Sequence, residues 1–300
     1  MMKIEKIREL SGHAGPIYRM CFGRSENHLL TASGDCFVAE WDFNLGVASP
    51  FSIKLEHPCI ALLYLQEQNT LICGTITGGM HVVNLNLKKE EKLLQVHEDG
   101  LFALCYIEEE KWVIAGGGQG FISVWNAETW ELVRHFKVAQ GKIRHIRKAK
   151  DRVIVSSADG TVRILDLPWL NILETIEAHE GGALCTIDHP SKPVMISGGK
   201  DGYLRLWHSN DSRLLMEIPA HNFGIYDLVI SPDKSLLASA SRDKSVKIWG
   251  LNDLSPLDKI ARPKYEAHTH SVNTLLWNDN PELLISAGDD RKIKCWKIST

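Results

Sequence analysis

Serine, histidine and aspartate recur together along this chain, and these are the residue types that assemble nucleophilic active sites. His179, Ser197 and Asp201 form one such set, and sets of the same kind begin at His221 and His268. A hydrolase needs one activated nucleophile, whereas this arrangement repeats. The serines also fall within predicted strands and lack the Gly-x-Ser-x-Gly turn that exposes a nucleophile. We therefore assign these sets a structural role, and we expect no catalytic residues and no enzymatic activity.

Two further motifs resemble ligand sites. His268-Thr269-His270 is similar to a metal-binding pair, but no third ligand lies at a recognisable spacing. The glycine-rich stretch 116–120 precedes a predicted strand rather than a helix, and it lacks the Lys-Ser/Thr pair of a phosphate-binding loop. We expect neither a bound metal nor a cofactor.

A short pattern returns seven times along the sequence. In its best copies an Asp lies six residues before a Trp, with alternating apolar residues between them, as in Asp201–Trp207 and Asp243–Trp249. The Trp position falls at residues 41, 83, 125, 165, 207, 249 and 296. The upstream positions, which carry a His in most copies, are His13, His57, His97, Ala139, His179, His221 and His268. Self-similarity with a period of about forty residues indicates a repeat architecture.

Each repeat is predicted to be a four-stranded antiparallel sheet. In the sixth copy, the segments 225–230, 236–240 and 245–249 have the pattern of strands, and turns rich in Pro, Asp and Lys separate them. A weaker fourth strand precedes the next His, as 214–218 does before His221. No stretch has a convincing helical period. One such sheet cannot bury both of its faces, whereas seven sheets stacked radially can.

This succession of His, Ser/Thr, Asp and Trp over essentially the whole chain resembles the WD40 repeats of β-propellers. Only Trp41-Asp42 preserves the literal Trp-Asp pair. The resemblance implies an all-β fold, a seven-bladed WD40 β-propeller that occupies residues 1–300 as a single domain. It also implies that one His, Ser/Thr, Asp and Trp per blade form a buried hydrogen-bonded chain. These tetrads are His13–Thr31–Asp35–Trp41, His179–Ser197–Asp201–Trp207, His221–Ser239–Asp243–Trp249 and His268–Ser286–Asp290–Trp296.

The tetrad and the outer strand are each incomplete in some copies. The second, third and fourth copies carry Cys73, Ala115 and Ala139 among their replacements, and they are predicted to depend more on apolar packing. The seventh copy has only four residues after Trp296 and so lacks a fourth strand of its own. Residues 3–10 precede His13 as other outer strands precede their His. We predict that they form the outer strand of the last blade and close the ring.

Composition limits the classes of partner and the cellular setting. The 300 residues carry a formal net charge of −3, which provides no overall attraction to nucleic acid or to an anionic membrane. The charged start, Met-Met-Lys-Ile-Glu-Lys, is unlike a signal peptide, and no apolar run is long enough to span a bilayer. Seven cysteines without a Cys-x-x-Cys pair favour a reducing compartment, and we expect a cytoplasmic protein.

Because no catalytic constellation emerges, the sequence favours a protein- or peptide-binding scaffold that is monomeric by itself. The WD40 resemblance implies that partners dock on the face where the His loops and Asp turns emerge. Residues five after each His position and one before each Asp position would lie there. From these we take as candidates for partner binding Tyr18, Phe102, Arg144, Lys200, Tyr226 and Arg242. Tyr, Phe and Arg are typical of binding hot spots, and the scarcity of acid favours an acidic or neutral partner segment.

Two alternatives stay open at this point: an RNA- or anionic-partner-binding module and, less favoured, an enzyme on a propeller scaffold. The first rests on a predicted hairpin, opposed only by Asp151, that holds Lys142, Arg144, Arg147, Lys148, Lys150 and Arg152. Glu40 is a separate anomaly, since the other copies carry an aliphatic residue or Cys before the Trp position. We expect its carboxylate to be at least partly buried and to contact a basic group, a hydroxyl or water.

Overall fold

The computed structural model describes residues 2–25, 27–279 and 282–299, and this described part consists of strands, turns and loops. Its strands are, in chain order, β1 Lys3–Ser11, β2 Ile17–Phe22, β3 His28–Ser33, β4 Phe37–Asp42, β5 Val47–Lys54, β6 Cys59–Leu65, β7 Thr70–Thr75, β8 Gly79–Asn84, β9 Lys89–Gln95, β10 Leu101–Ile107, β11 Trp112–Gly117, β12 Phe121–Asn126, β13 Leu132–Lys137, β14 Ile143–Ala149, β15 Arg152–Ser157, β16 Thr161–Asp166, β17 Ile172–Glu177, β18 Ala183–Asp188, β19 Val194–Gly199, β20 Tyr203–His208, β21 Leu214–Pro219, β22 Ile225–Ile230, β23 Leu236–Ser241, β24 Val246–Gly250, β25 Pro256–Ile260, β26 Val272–Asn278, β27 Leu283–Gly288 and β28 Lys292–Ser299.

These strands pair into seven antiparallel sheets of four strands, the blades. Blades one to six take their strands in chain order, β2–β5, β6–β9, β10–β13, β14–β17, β18–β21 and β22–β25, and blade seven has the order β1-β28-β27-β26. The first strands of neighbouring blades contact one another all the way round, and β26 of blade seven returns to β2 of blade one. They therefore surround a central channel. The predicted seven-bladed all-β propeller is confirmed.

The N-terminal strand closes the ring. β1 pairs antiparallel with β28, from Lys3 opposite Ser299 to Ser11 opposite Lys292. Ile4 and Leu10 of this strand are buried in the cores on the two sides of blade seven. The prediction that residues 3–10 complete the last blade is confirmed.

An ion cluster reinforces this closure. The Glu9 carboxylate of β1 accepts hydrogen bonds from Lys294 at 2.9 Å and Lys6 at 3.3 Å, and Lys292 lies 3.0 Å away. Burial of Glu9 raises its pKa, but the hydrogen bonds and charges of these ammonium groups outweigh burial and lower the pKa to about 2. The cluster therefore stays ionised at neutral and mildly acidic pH.

The apolar core lies between neighbouring blades. Trp207 of blade five packs in one cluster with Ile154 and Ile164 of blade four, and Trp249 of blade six packs with Ile196 of blade five. Each sheet therefore buries its faces against its two neighbours, which is how repeat proteins distribute their stability.

The glycine-rich stretch 116–120 has a steric explanation in the β11–β12 turn. A Cβ atom on Gly117 would lie 2.2 Å from the His97 ring, so only glycine leaves room for that imidazole. Gly120 has a φ of +83°, a backbone conformation that glycine adopts at the least cost. The stretch shapes a turn around the His97 ring.

Candidate functional site

Four blades contain a buried chain of hydrogen bonds that joins a His, a hydroxyl residue, an Asp and a Trp. In blade one, His13 Nδ1 lies 2.8 Å from the Asp35 carboxylate and Nε2 lies 2.7 Å from Thr31 Oγ1. Trp41 Nε1 donates to the same hydroxyl at 2.8 Å. The sets His179–Ser197–Asp201–Trp207, His221–Ser239–Asp243–Trp249 and His268–Ser286–Asp290–Trp296 have the same contacts at 2.7–3.0 Å. The buried polar atoms of these side chains therefore satisfy one another.

Each chain fixes a loop of one face of the disc. The Asp of a tetrad also accepts a backbone N–H from the residue after its His, as Asp35 does from Ala14 at 2.8 Å. Burial raises the pKa of Asp201, but hydrogen bonds from His179 and Arg205 outweigh it and hold this pKa well below its usual range. In these four blades the His loop, which precedes the first strand, and the Asp turn, which joins the second and third strands, are therefore held together. The His loops and Asp turns of all seven blades form one surface of the disc. We call this surface the top face.

Blade two corrects the sequence register. His57 is exposed, and the buried Leu55 takes the His position, since it lies four residues before the inner strand β6, as His179 lies four residues before β18. Counting from His57 had placed Leu62 on the top face, whereas Leu62 packs in the apolar core between blades one and two. Ile60 holds the top-face position instead.

Blade three contains a hydroxyl partner for its His and Trp that the spacing of the repeats in the sequence did not reveal. Ala115 stands at the hydroxyl position, but Ser123 faces it from the neighbouring strand β12. His97 Nε2 lies 2.9 Å from Ser123 Oγ, and Trp125 Nε1 donates to the same oxygen at 2.9 Å. Burial and the nearby His135 lower the pKa of His97 to about 4, so the ring is neutral. A hydroxyl on the third strand thus replaces the missing one on the second.

We expect amide hydrogen exchange to be faster in residues 57–166 than in 179–296. Blades two and four lack the His, and each missing buried hydrogen bond lowers stability by about 1 kcal/mol. Within the faster arc, blade three should exchange most slowly because Ser123 keeps three members of the chain connected. Native-state exchange followed by mass spectrometry measures this directly, and equal protection around the ring would contradict the expectation.

The top face has a cavity of about 310 Å³ at the mouth of the central channel. Its wall includes the second residue of each inner strand. The residues that line this mouth are Tyr18, Arg19, Ile60, Ile76, Phe102, Arg144, Leu184, Tyr226, Asn273 and Asp289. Four of the six candidates for partner binding therefore meet at one opening, namely Tyr18, Phe102, Arg144 and Tyr226.

Charges inside the mouth are unequally neutralised. Asp289 accepts a hydrogen bond from Asn273 at 2.7 Å, and Arg19 lies 3.6 Å from Asp227 of the channel wall. Among the described residues Arg144 forms no ion pair, and its guanidinium carbon lies 5.8 Å from the centre of the Phe102 ring. Burial and the neighbouring Arg19 lower the pKa of Arg144 from its usual value. The mouth thus combines aromatic walls with a guanidinium group that lacks a carboxylate.

Comparison with protein families agrees with this geometry. The model of the WD domain, G-beta repeat, matches residues 4–42, 170–208, 212–250 and 261–297, which together make up more than half of the chain. This chain belongs to the WD40 family. The matches cover the units with complete tetrads, and the structure supplies the remaining blades.

Relatives of this WD40 propeller differ widely in length. The chain is 21% identical to rat jouberin over 226 residues, 67% of this chain and 22% of jouberin. It is 24% identical to eukaryotic translation initiation factor 3 subunit I of Kluyveromyces lactis over 217 residues, 66% of this chain and 62% of that protein. It is 23% identical to the guanine nucleotide-binding protein subunit beta of Oryza sativa subsp. japonica over 218 residues, 67% of this chain and 57% of the subunit. The alignments thus span less than two thirds of each relative.

The other two candidates lie on the rim of the WD40 top face rather than in the mouth. Lys200 and Arg242 are exposed, and their backbone N–H groups bond to Gly182 and Gly224 of the adjacent His loops. The Arg242 guanidinium lies 5.8 Å from the centre of the Phe223 ring, which is 55% exposed. Phe223 was missed in the sequence because it lies in the loop after His221, outside the two positions counted.

The basic residues of 142–152 do not form one surface of the propeller. They begin just before the inner strand β14, follow it from the top face to the opposite face and end in the β14–β15 turn and the start of β15, with Arg144 in the mouth. Arg147 forms a bidentate pair with Asp188, and Lys148 pairs with Glu109. Arg152 donates to the Ser209 carbonyl at 3.3 Å. The positive charge of this segment is therefore divided among the channel mouth, the ion pairs of Arg147 and Lys148, and the β14–β15 turn.

Glu40 is buried, as expected, and its side chain is 2% exposed. Its carboxylate accepts hydrogen bonds from Arg24 at 2.9 and 3.2 Å and from Ser49 at 3.0 Å. The guanidinium of Arg24 also lies 5.4 Å from the centre of the Phe51 ring. These contacts occupy a bulge in which β5 gains residues opposite Glu40. The expected contacts to a basic and a hydroxyl group are both present.

No group of three or more His, Cys, Asp and Glu side chains is arranged to hold a metal ion within 2–25, 27–279 and 282–299. In the same residues there is no helix of the length and apolarity needed to cross a membrane.

Proposed function

We propose that this WD40 propeller is a protein- or peptide-binding scaffold that presents its top face for the assembly of a complex. The observation that carries the proposal is the mouth, where Tyr18, Phe102 and Tyr226 surround the guanidinium of Arg144, which has no ion pair within the described part of the chain. Aromatic and Arg side chains grouped in one recess are the usual anchors of protein interfaces. Two of the relatives are named as subunits, one of a translation initiation factor and one of a guanine nucleotide-binding protein, which supports the same class of function.

The rigidity of the top face supports binding. In four of the seven blades the tetrads hold the His loop and the Asp turn by buried hydrogen bonds, so few conformations of these loops are lost when a partner docks. Lys200, Arg242 and Phe223 would extend the contact area from the mouth to the rim. We propose that residues 1–300 act as one body in this role.

We propose an acidic or neutral peptide segment as the partner's contacting element. Among the residues of the mouth and the two rim candidates, the cations Arg144, Lys200 and Arg242 outnumber the acid Asp289, which Asn273 already engages. A partner carboxylate at the mouth would pair with Arg144, while apolar groups would pack on the aromatic walls. The RNA alternative gains no support from the 142–152 segment, because Arg147 and Lys148 are already paired with carboxylates. We further propose a cytoplasmic setting, in keeping with seven free cysteines.

Capture from a cell lysate followed by mass spectrometry tests this proposal. We expect Tyr226→Ala or Arg242→Ala to abolish recovery of the dominant partner, because loss of a true anchor weakens binding by about 2 kcal/mol or more. Thermal stability should be unchanged. Lys148→Ala, near the other end of the channel wall, is the control and should leave capture intact. Retained capture by both top-face variants, with loss in Lys148→Ala, would reject the top face as the docking surface.

A further inference from the structure

A second cavity, of about 290 Å³, lies between blades four and five on the face opposite the top face. Its floor is apolar and consists of Ile154, Ile164 and Met195, each no more than 4% exposed. Its walls are the β14–β15 turn, the loop 189–193 and the β20–β21 turn. We call it the lower pocket. A recess of this size with an apolar floor is typical of a site for one side chain or a small ligand.

The lower pocket is open because blade five lacks two apolar side chains that fill the equivalent space in the adjacent blades. In the turns between third and fourth strands, blade four carries Leu167 and Leu170, and blade six carries Leu251 and Leu254. Matching backbone hydrogen bonds place Ser209 and Ser212 at the same two positions in blade five. Leu170, Ser212 and Leu254 also share a positive φ of 51–56°. Two small polar side chains thus leave open the space that leucines fill in the adjacent blades.

The rim of the lower pocket is basic. Lys150 and Lys192 form no ion pair in the described part of the chain, and Lys192 Nζ donates to the Asn252 carbonyl at 3.1 Å. Arg152 lies 4.0 Å from the exposed Asp151 carboxylate. The other acidic residue of the lining, Asp188, is neutralised by Arg147. Lys150, Arg152 and Lys192 therefore give this rim three positive charges, against the single exposed carboxylate of Asp151.

His189 holds the loop that presents Lys192. Its Nδ1 accepts backbone N–H groups from Ser191 at 3.2 Å and Lys192 at 3.1 Å. Burial and the Lys192 ammonium lower the pKa of His189, so the ring stays neutral and continues to accept these bonds. The cation is thus displayed by a fixed turn rather than by a mobile one.

We propose that the lower pocket is a second docking site, which accepts an apolar side chain of an acidic peptide segment from another protein. The apolar residue would occupy the space that Ser209 and Ser212 leave open, and flanking carboxylates would pair with Lys150, Arg152 and Lys192. This site is independent of the top face. The propeller would then hold two partners at once, one on each side of the disc.

Fluorescence polarisation with labelled pentapeptides tests the proposal on the full chain. The probes have Leu, Met or Phe at the centre and Glu at the other four positions, and a probe with Gly at the centre is the control. Ser209→Leu/Ser212→Leu fills the pocket with the residues that the adjacent blades carry. It also removes the 2.6 Å hydrogen bond from Ser212 Oγ to Glu174, so thermal stability should change little. Lys150→Glu reverses a rim charge. Lys234→Glu is its matched control, because Lys234 has a similar positive φ, 61° against 55°, in the equivalent turn of blade six.

We expect saturable binding of at least one apolar-centred probe with Kd below about 1 mM. Affinity should fall at least about tenfold in the filled variant and in Lys150→Glu, and stay unchanged in Lys234→Glu and in Tyr226→Ala. Absence of saturable binding, equal loss in both Lys variants, or loss only in Tyr226→Ala would each overturn the proposal. Preferential binding of a labelled uridine decamer that depends on Lys150 would also overturn it, by assigning the rim to nucleic acid.

Discussion

Deletion of residues 1–10 should lower the melting temperature of the propeller by about 10 °C. The deletion removes nearly all of β1, and with it the buried side chains of Ile4 and Leu10 and the Glu9 ion cluster. Burial of two such aliphatic side chains contributes about 3–6 kcal/mol, and each kcal/mol shifts the melting temperature of a protein of this size by about 2 °C. Loss of β1 also exposes the edge of β28 in the last blade. Differential scanning calorimetry measures the change.

Two substitutions in the full-length chain distinguish the effect of losing a buried side chain of β1 from the effect of shortening the chain. Leu10→Ser removes a side chain that is 2% exposed, whereas Ile7→Ser alters one that is 40% exposed on the same strand. We expect the first to destabilise the ring clearly and the second to have little effect. An unchanged melting temperature after deletion of residues 1–10 would mean that β1 does not close the ring in solution.

Arg24→Ala should destabilise the protein by about 3 kcal/mol. The Glu40 carboxylate is nearly inaccessible to water, and Arg24 is the cation that neutralises it. Removal of one partner of a buried pair leaves an uncompensated charge, and that loss is typically about 3–5 kcal/mol. The value should fall at the lower end because the Arg24 side chain is itself 35% exposed. Urea denaturation at neutral pH measures the free energy of unfolding.

Glu40→Leu is the matched variant and should be neutral or stabilising. It replaces the buried charge with the kind of residue that the other blades carry before the Trp position, and the partly exposed Arg24 can then be hydrated. Destabilisation by Glu40→Leu as large as that by Arg24→Ala would show that the carboxylate itself is required, and would contradict a purely structural pair.

Periodic features of the sequence were sufficient to predict the blades, because the spacing of Asp and Trp reflects a turn and a strand of constant length. The His position of blade two was harder to place, because it follows a bulge in β5, the last strand of blade one. Leu55 lies fourteen residues after Trp41, the same spacing as His221 from Trp207, whereas His57 lies sixteen after it. Strict use of that spacing would have identified Leu55, although it places an apolar residue where most other copies carry a His.

Other parts of the site depended on contacts between strands. Ser123 substitutes for Ala115 across a strand pair, and this pairing is visible only once the register of β11 and β12 is known. The basic residues of 142–152 looked like one patch because they are close in sequence, but a strand spreads them along its length and pairs them with Asp188 and Glu109. The lower pocket follows from Ser209 and Ser212, whose small size matters only against the leucines of adjacent blades.

The most direct test of the proposed top-face function is hydrogen–deuterium exchange of the propeller with and without its captured partner. We expect protection on binding at the starts of the inner strands, around Tyr18, Phe102, Arg144 and Tyr226, and at the turn that carries Arg242. The outer strands should be unaffected. Protection confined to the outer strands, or to the 149–152 turn, with no change around the mouth, would contradict the account.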